Sequence, residues 1–213
     1  MKTLFTAILS VIVLGASAQN DPAAKSILDK VSAKFKTLKT VQANYALNVT
    51  NRAGKNAGKK NGSIFVKNVK YHITEKSLEL TSDGKKMWKY EPAANEVTVS
   101  DVDNSNQSGI SPQRLFTNFY DKDFIYKLNG NKTINGKSLS EIELTPIDKR
   151  KNFFKVYVYV DPVQNMIVSS KIYENSGNVY EYSISNLKTN VTLDDALFVF
   201  NKTKHPGVDE IEQ

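Results

Sequence analysis

The sequence contains no cysteine, which excludes disulfide bonds, thiolate catalysis and cysteine-ligated metal. Its two histidines, His72 and His205, fall in a strand pattern and in the C-terminal tail, which argues against a histidine-based metal site. The chain also lacks the G-x-S-x-G elbow, the H-E-x-x-H pair and a phosphate-binding glycine loop. These absences predict a protein with no metal, no cofactor and no enzymatic activity.

No hydrophobic run is long enough to cross a membrane as a helix. The run at residues 4–14 follows Lys2 and precedes Ala16-Ser17-Ala18, the small-residue pattern of a signal-peptide cleavage site. We therefore expect residues 1–18 to be an export signal and residues 19–213 to form a single exported domain. Since no cysteine follows the run, we expect no lipid anchor on this protein.

The chain has no dense block of charge of one sign. Lysine and arginine number 29 against 22 aspartates and glutamates, so the protein is basic overall. Such an excess suits nucleic acid, anionic lipid headgroups or an acidic partner. Because the lysines are spread along the chain, we interpret them as a solvated surface and expect no nucleic-acid partner.

Residues 21–38 carry the clearest helix signal. Asp21 is a helix-capping residue, and Pro22 suits the first helical position. One face of this helix is apolar, and the opposite face carries lysine and serine. The apolar positions at helical spacing are Ala24, Ile27, Leu28, Val31, Phe35 and Leu38. A helix of this kind must lie against another apolar surface.

From Val41 onward the apolar period is two, which indicates β-strands. Residues 52–62 are predicted to be a loop, and Asn61-Gly62 and Asn129-Gly130 are predicted turns. About eleven short strands, one amphipathic helix and a few short helices predict a mainly β fold with some α. A barrel of that strand number is wider than side chains easily fill, so it is plugged by helices or keeps a cavity.

Residues 82–92 form a predicted hairpin around Asp83-Gly84. Leu78 and Leu80 alternate before this turn, and Trp88 and Tyr90 alternate after it. Aromatic residues in such a pattern are typical of a core, and they are also typical of an apolar pocket. The local pattern leaves both interpretations open.

Three groups of motifs, in order along the chain, carry a resemblance to a known family. Residues 82–92 are similar to the signature S-D-G-x-x-x-W-x-Y-x-P, and Ser111-Pro112 is similar to a mid-chain helix start. Residues 198–200 and 206–208 are similar to closing F-x-F and P-x-G-V motifs. In this order they resemble the periplasmic outer-membrane lipoprotein carrier (LolA-like) family.

The resemblance implies an incomplete antiparallel β-barrel covered by helices and enclosing an apolar cavity. Members of the family receive lipoproteins from an inner-membrane lipoprotein-releasing ABC transporter, hold their acyl chains and pass them to the outer membrane. The resemblance therefore implies a periplasmic chaperone that uses no cofactor and performs no covalent chemistry. We expect it to act as a monomer with an outer-membrane acceptor.

Under this resemblance, the alternating apolar positions become the expected cavity lining. They are Tyr45, Leu47, Val49, Ile64, Val66, Tyr71, Ile73, Leu78, Leu80, Trp88, Tyr90, Val97, Val99, Phe124, Tyr126, Ile142, Leu144, Val156, Val158, Tyr182 and Ile184. The expected lid and gate residues are Lys67, Ile27, Val31, Leu115 and Phe116. Lys67 is the cation nearest to the place where the family often carries a gating arginine followed by proline. A lysine lacks the planar donor fork of that arginine.

Two other functions remain open from the residues. The same fold could serve as a module that senses lipids or lipoproteins and reports to a membrane partner. An exported hydrolase would instead require two carboxylates that converge in a cleft.

Overall fold

The computed structural model describes residues 20–102 and 119–213. The predicted signal at residues 1–18, the helix start at Ser111-Pro112 and the expected lid residues Leu115 and Phe116 lie outside these ranges. No helix in the described ranges has the length and hydrophobicity needed to cross a membrane.

Helix α1 spans Pro22–Thr37, as the apolar period predicted. Asp21 caps it, and its buried side presents Ala24, Leu28 and Phe35 to the sheet. A short helix, α2, spans Phe119–Asp123 and leads directly into a strand. Two 3₁₀ turns follow near the C terminus, at Asp195–Phe198 and Lys202–Lys204.

The strands of residues 20–102 and 119–213 belong to one sheet of twelve. In chain order they are β1 (Thr40–Thr50), β2 (Asn56–Lys67), β3 (Lys70–Glu75), β4 (Leu78–Ser82), β5 (Lys86–Glu91), β6 (Glu96–Asp101), β7 (Phe124–Ile134), β8 (Lys137–Pro146), β9 (Phe153–Asp161), β10 (Met166–Glu174), β11 (Val179–Thr189) and β12 (Asp209–Glu212). The predicted mainly β fold is confirmed.

The sheet is made of two antiparallel meanders joined at β1. Strands β1 to β6 run outward in chain order on one side, and β11 back to β7 run outward on the other. β1 pairs antiparallel with both β2 and β11, and β12 adds to β6 in parallel. The two outermost strands, β12 and β7, do not pair with each other, so the barrel is open in the part of the chain that the structure describes.

The cross-strand register defines two faces. Directly opposed residues share a face, so Ala43, Ile64, Ile73 and Leu80 form one continuous row. We call the face that contains this row, and on which α1 packs, the inner face. Its core cluster joins Leu28 of α1 to buried residues such as Ile142, Val156 and Val158. The opposite face is called the outer face.

Two Asn-Gly dipeptides that predicted turns lie inside strands. β2 already begins at Asn56, and Gly62 is opposite Tyr45 in the middle of the β1–β2 ladder. Gly130 belongs to β7, where the register shifts between Leu128 and Gly130. The first dipeptide is an ordinary ladder position, and the second marks a β-bulge that absorbs one extra residue.

The C-terminal segment, residues 191–208, crosses the outer face, and we call it the strap. Its Phe198 is fully buried, and its first 3₁₀ turn contacts β3 and β4. Phe200 stacks on His205, and the ring centroid of His205 lies 4.2 Å from that of Tyr90. The outer face of β3 to β6 is therefore covered by the protein's own chain.

The free edge of β7 is protected by residues before α1. The Asp21 amide donates to the Tyr126 carbonyl at 3.1 Å, and the Leu128 amide donates to Asp21 Oδ2 at 2.9 Å. Asp21 Oδ1 also accepts from the Ala23 amide at 2.8 Å. One carboxylate thus caps a helix and closes a sheet edge. These hydrogen bonds, chiefly the one from Leu128, lower the pKa of Asp21.

Replacing Asp21 with alanine is expected to lower the Tm by roughly 2–5 °C at neutral pH, because both functions are lost. Since the folded-state pKa is below the unfolded value, the stabilisation is present above about pH 4 and is lost as the pH falls through the folded pKa. Thermal unfolding of both proteins across pH 2–7 measures the difference. Asp21→Asn, which keeps an acceptor but no charge, is the control. A Tm difference that does not change with pH would contradict the charge contribution.

Candidate functional site

The inner face gathers most of the predicted lining residues. Those on β7 to β9 are almost fully buried beneath α1, and they serve as core. They are Phe124, Tyr126, Ile142, Leu144, Val156 and Val158. Leu47, Val66 and Tyr71 on β1 to β3 are also buried. All of these side chains except Leu47 belong to one core cluster with the buried residues of α1, and they hold the helix to the sheet.

A second group on the inner face is only half-buried. We call it the inner-face tract, and it spans β11, β1, β2, β3 and β4. Its predicted members are Tyr45, Val49, Ile64, Ile73, Leu78, Leu80, Tyr182 and Ile184. A contiguous apolar surface of this kind, beside a helix-covered core, is suited to bind a flexible hydrophobic ligand.

Three polar side chains, whose contacts with one another the sequence did not predict, lie within the tract. Lys60 Nζ is 2.7 Å from Glu75 Oε1, and Tyr45 Oη donates to Glu75 Oε2 at 3.4 Å. The side chain of Glu75 is only 7% exposed, whereas that of Lys60 is 50% exposed. Burial, followed by the charge of Glu75, raises the pKa of Tyr45 to about 12. Tyr45 therefore remains a neutral hydrogen-bond donor under physiological conditions.

Gly62 makes this arrangement possible. A Cβ at Gly62 would lie 2.1 Å from the Thr74 carbonyl oxygen and 2.6 Å from Tyr45 Cε1. The Tyr45 ring thus occupies the space that a side chain at position 62 would fill, and from there it reaches Glu75. The sequence pattern predicted a turn at Asn61-Gly62 and missed this contact, although a glycine inside a strand often marks such a close approach.

Trp88, Tyr90, Val97 and Val99 do not share the inner face. Trp88 is opposite Thr81 and Val99, and Tyr90 is opposite Val97, all on the outer face. There Trp88, Tyr90 and Val97 form a second core with Phe200 and Val208 of the strap, and Val99 is buried on the same face. The prediction that they line one surface with Leu80 is wrong. Ser82 pairs with Met87, and the number of residues between them is even, so each even-numbered residue of β4 is opposite an odd-numbered residue of β5. Trp88 and Tyr90 therefore lie on the face opposite to that of Leu80.

Comparison with known proteins matches the outer membrane lipoprotein carrier protein LolA family to residues 36–201. The chain belongs to this family. The match covers α1 from its last turn, the whole sheet except β12, and the first half of the strap. The predicted family resemblance is confirmed.

Individual relatives of this LolA family protein are distant. An outer-membrane lipoprotein carrier protein of Legionella pneumophila (strain Lens) is 23% identical over 188 residues, which is 86% of this chain and 88% of the relative. A conserved protein from Thermus thermophilus superposes with a TM-score of 0.58 at 12% identity, covering 90% of this chain and 99% of that one. The Mycobacterium tuberculosis lipoprotein LppX gives 0.53 at 14% identity, with 82% and 100% covered. These structures show a shared fold.

Lys67, the expected gate of this LolA family chain, points to the outer face. It is opposite Thr40 and Lys70, one position away from the inner-face residue Val66. Its Nζ donates to the Leu193 carbonyl at 3.2 Å and lies 3.1 Å from Asp195 Oδ2. Its position does not allow it to gate the inner face, and the prediction is corrected: Lys67 fastens the strap.

Replacing Lys67 with glutamine is expected to shift the midpoint of urea denaturation by no more than about 0.5 M, because its ion-pair partner Asp195 is 61% exposed. Binding of a fluorescent acyl probe should stay within about twofold of the original, since the inner face is untouched. Chemical denaturation and probe titration measure the two quantities. A large loss of probe affinity with unchanged stability would return Lys67 to the binding mechanism.

The expected lid residues Ile27 and Val31 do lie on α1 against the core cluster. Val31 is 4% exposed. The N-terminal half of α1 is also held by polar contacts: Tyr120 Oη donates to Asp29 Oδ1 at 2.6 Å, and Lys25 Nζ is 3.0 Å from Asp29 and 3.3 Å from Asp121. These contacts attach the helix to α2.

Asp29 and Asp121 are two carboxylates that the fold brings together, since both reach Lys25. However, the hydrogen bond from Tyr120 lowers the pKa of Asp29, which is the reverse of what a general acid requires. Within residues 20–102 and 119–213, no group of three or more histidine, aspartate or glutamate side chains could hold a metal ion. The contacts of Asp29 with Tyr120 and of both carboxylates with Lys25 indicate that they hold α1 against α2.

Proposed function

We propose that this protein is a periplasmic carrier that binds the acyl chains of lipoproteins on the inner-face tract and transports them from the inner to the outer membrane. Membership of a family described as outer membrane lipoprotein carriers supports this proposal. The observation that carries it is the half-buried apolar tract, from Tyr45 on β1 to Leu80 on β4 and Ile184 on β11.

The energetics of acyl chains fit a carrier without catalytic chemistry. Burying an acyl chain gains about 0.8 kcal/mol per CH₂, so a lipoprotein with two or three chains does not leave a membrane unaided. A carrier must supply a comparable apolar surface without demanding a particular chain shape. Half-buried aliphatic side chains such as Ile64, Ile73 and Leu80 meet that requirement.

We further propose that α1 stays docked while cargo binds. Leu28, Val31 and Phe35 are at most 6% exposed, and burying each such side chain contributes about 1.5–3 kcal/mol. Undocking the helix would therefore consume a large part of the stability of an ordinary domain. Ile27 and Val31 then act as a fixed wall, and cargo enters over β1 to β4 and β11.

The partners follow from this function. The carrier would receive its cargo from an inner-membrane lipoprotein-releasing ABC transporter and deliver it, as a monomer, to an outer-membrane acceptor. Delivery requires that the acceptor bind the acyl chains more strongly than the tract does, because no covalent step drives the transfer.

The test is to purify the protein from the periplasm, identify bound lipoproteins by mass spectrometry, and measure their transfer to acceptor vesicles. We expect recovery of triacylated or diacylated lipoproteins, and release when an outer-membrane acceptor is added. A lipid sensor would bind cargo without passing it on. Repeated recovery of empty protein that also fails to bind a fluorescent fatty acid would contradict the proposal.

A further inference from the structure

Three turns meet at one end of the sheet. The β1–β2 turn (residues 51–55) touches the β10–β11 turn (residues 175–178), because Arg52 Cγ lies 2.8 Å from where a Cβ of Gly177 would stand. The β10–β11 turn in turn binds the β8–β9 turn (residues 147–152). The Asn175 amide donates to the Asn152 carbonyl at 2.9 Å, and Asn175 Nδ2 donates to the Lys151 carbonyl at 2.9 Å. The turns thus form a continuous rim.

This rim is strongly basic. Together with the start of β2, it carries seven basic residues: Arg52, Lys55, Lys59, Lys60, Lys149, Arg150 and Lys151. These residues include one acidic side chain, Asp148, and two glutamates border them: Glu174 at the end of β10 and Glu75, which pairs with Lys60. The Glu174 carboxylate is hydrogen-bonded by Asn152 and Ser176, and Asp148 is paired with Arg150. Along the chain, no acidic residue occurs between Asp29 and Glu75.

The cations of the β1–β2 turn and the start of β2 are exposed, and three of them have no ion-pair partner within the described ranges. Arg52, Lys55 and Lys59 are exposed and make no ion pair within the described ranges. Their turn is well ordered by hydrogen bonds. The Asn51 amide donates to the Lys55 carbonyl at 2.9 Å, and Asn51 Oδ1 accepts from the amides of Ala53 and Lys55 at 3.0 Å each. By contrast, Lys155 and Lys171 on the outer face are paired with glutamates.

Two large apolar side chains flank the basic rim. Ile147 in the β8–β9 turn is 51% exposed, and Phe154 at the start of β9 is 50% exposed. A basic rim in which Arg52, Lys55 and Lys59 make no ion pair, with exposed apolar side chains beside it, matches a lipid–water interface, where the headgroups are anionic and the acyl boundary is apolar. An acidic protein surface would match the cations alone.

We propose that this rim docks the protein on the anionic phospholipid headgroups of a bilayer. The proposal rests on the carrier function above and specifies how the site meets its membrane. The inner-face tract runs to the same end of the sheet, since Val49 and Tyr180 are opposed one position before the turns. Lys60 is one of the basic residues of the rim and also forms the ion pair with Glu75. Docking at this rim would place the tract next to the bilayer from which acyl chains leave or into which they pass.

The test is co-sedimentation with vesicles of phosphatidylcholine and phosphatidylglycerol at a 7:3 ratio, and with vesicles of pure phosphatidylcholine. We expect the full-length mature protein to bind only the anionic vesicles. Raising NaCl from about 0.05 to about 0.5 M should abolish that binding. The triple variant Arg52→Gln, Lys55→Gln, Lys59→Gln should lower the partition coefficient by about 100-fold.

The matched control is Lys39→Gln, Lys137→Gln, Lys188→Gln, which removes the same charge from exposed lysines at the opposite end of the sheet. Its partition coefficient should stay within about threefold of the original. Equal losses in both triple variants, equal binding to the two vesicle types, or no sedimentation with anionic vesicles at low salt would each overturn the proposal. Titration with a fluorescent fatty acid in the absence of vesicles separates the two proposals, because it tests the tract alone and should give the same affinity for all three proteins.

Discussion

Replacing Ile184 with aspartate is expected to weaken the binding of a fluorescent acyl probe by about 30-fold or more. Ile184 is half-buried on the inner face, opposite Tyr45, and is outside the core cluster that holds α1. A carboxylate there would have to lose its hydration when an acyl chain covers it, which costs at least a few kcal/mol. The measurement is a fluorescence titration, with circular dichroism to establish that the variant is folded.

Ser185→Asp is the matched control for this change. Ser185 is the next residue of β11, lies on the opposite face and is exposed. The same charge at this position should leave the probe affinity within about twofold, because no acyl chain needs to approach it. Loss of affinity in both variants would indicate a general charge effect, and normal affinity in folded Ile184→Asp would remove β11 from the proposed site.

Replacing Gly62 with alanine is expected to lower the free energy of unfolding by about 3 kcal/mol and to weaken probe binding at the same time. The added Cβ would approach the Thr74 carbonyl oxygen to 2.1 Å and the Tyr45 ring to 2.6 Å. The backbone oxygen cannot move aside without disrupting the β2–β3 ladder, so the strain is at the upper end of the range for overpacking. Tyr45 must also leave Glu75, which changes the inner-face tract. Urea denaturation and probe titration measure the two effects.

Gly58→Ala in the same strand is the control for Gly62→Ala. A Cβ at Gly58 meets no atom within 4 Å, and the residue lies on the same face of β2. There the substitution should be neutral or stabilise the protein by up to about 1 kcal/mol, since it restricts the unfolded chain. Equal destabilisation by the two substitutions would show that strand propensity, and not the Tyr45 contact, determines the result.

Local patterns in the sequence were sufficient to predict much of the fold. Asp21, Pro22 and the apolar stripe from Ala24 to Leu38 specify α1, because capping and a 3.6-residue period depend only on near neighbours. The period of two from Val41 onward specifies strands and shows which residues within each strand share a face. The motif at residues 82–92 and the closing motifs also indicated the family.

Local patterns in the sequence predicted the candidate site less well than they predicted the fold. Alternation does not say which face of a strand becomes the inner face, so Trp88 and Lys67 were placed on the wrong side. Their true position depends on the register of each hairpin and on the strap, which brings Phe200 next to Tyr90 from more than a hundred residues away. Glu75 and Lys60 meet only because β2 continues beyond the end of β3.

The sequence by itself thus determined most of the elements, their order and the family, because these depend on short-range capping, periodicity and motifs. Only the tertiary structure decided which apolar residues form the buried core, which remain half-buried on the inner face and which lie under the strap. It also decided that the cations of residues 52–60 and 149–151 meet in one rim. The physical reason is that burial and the summed field of charges depend on long-range contacts, whereas a linear pattern records only neighbours along the chain.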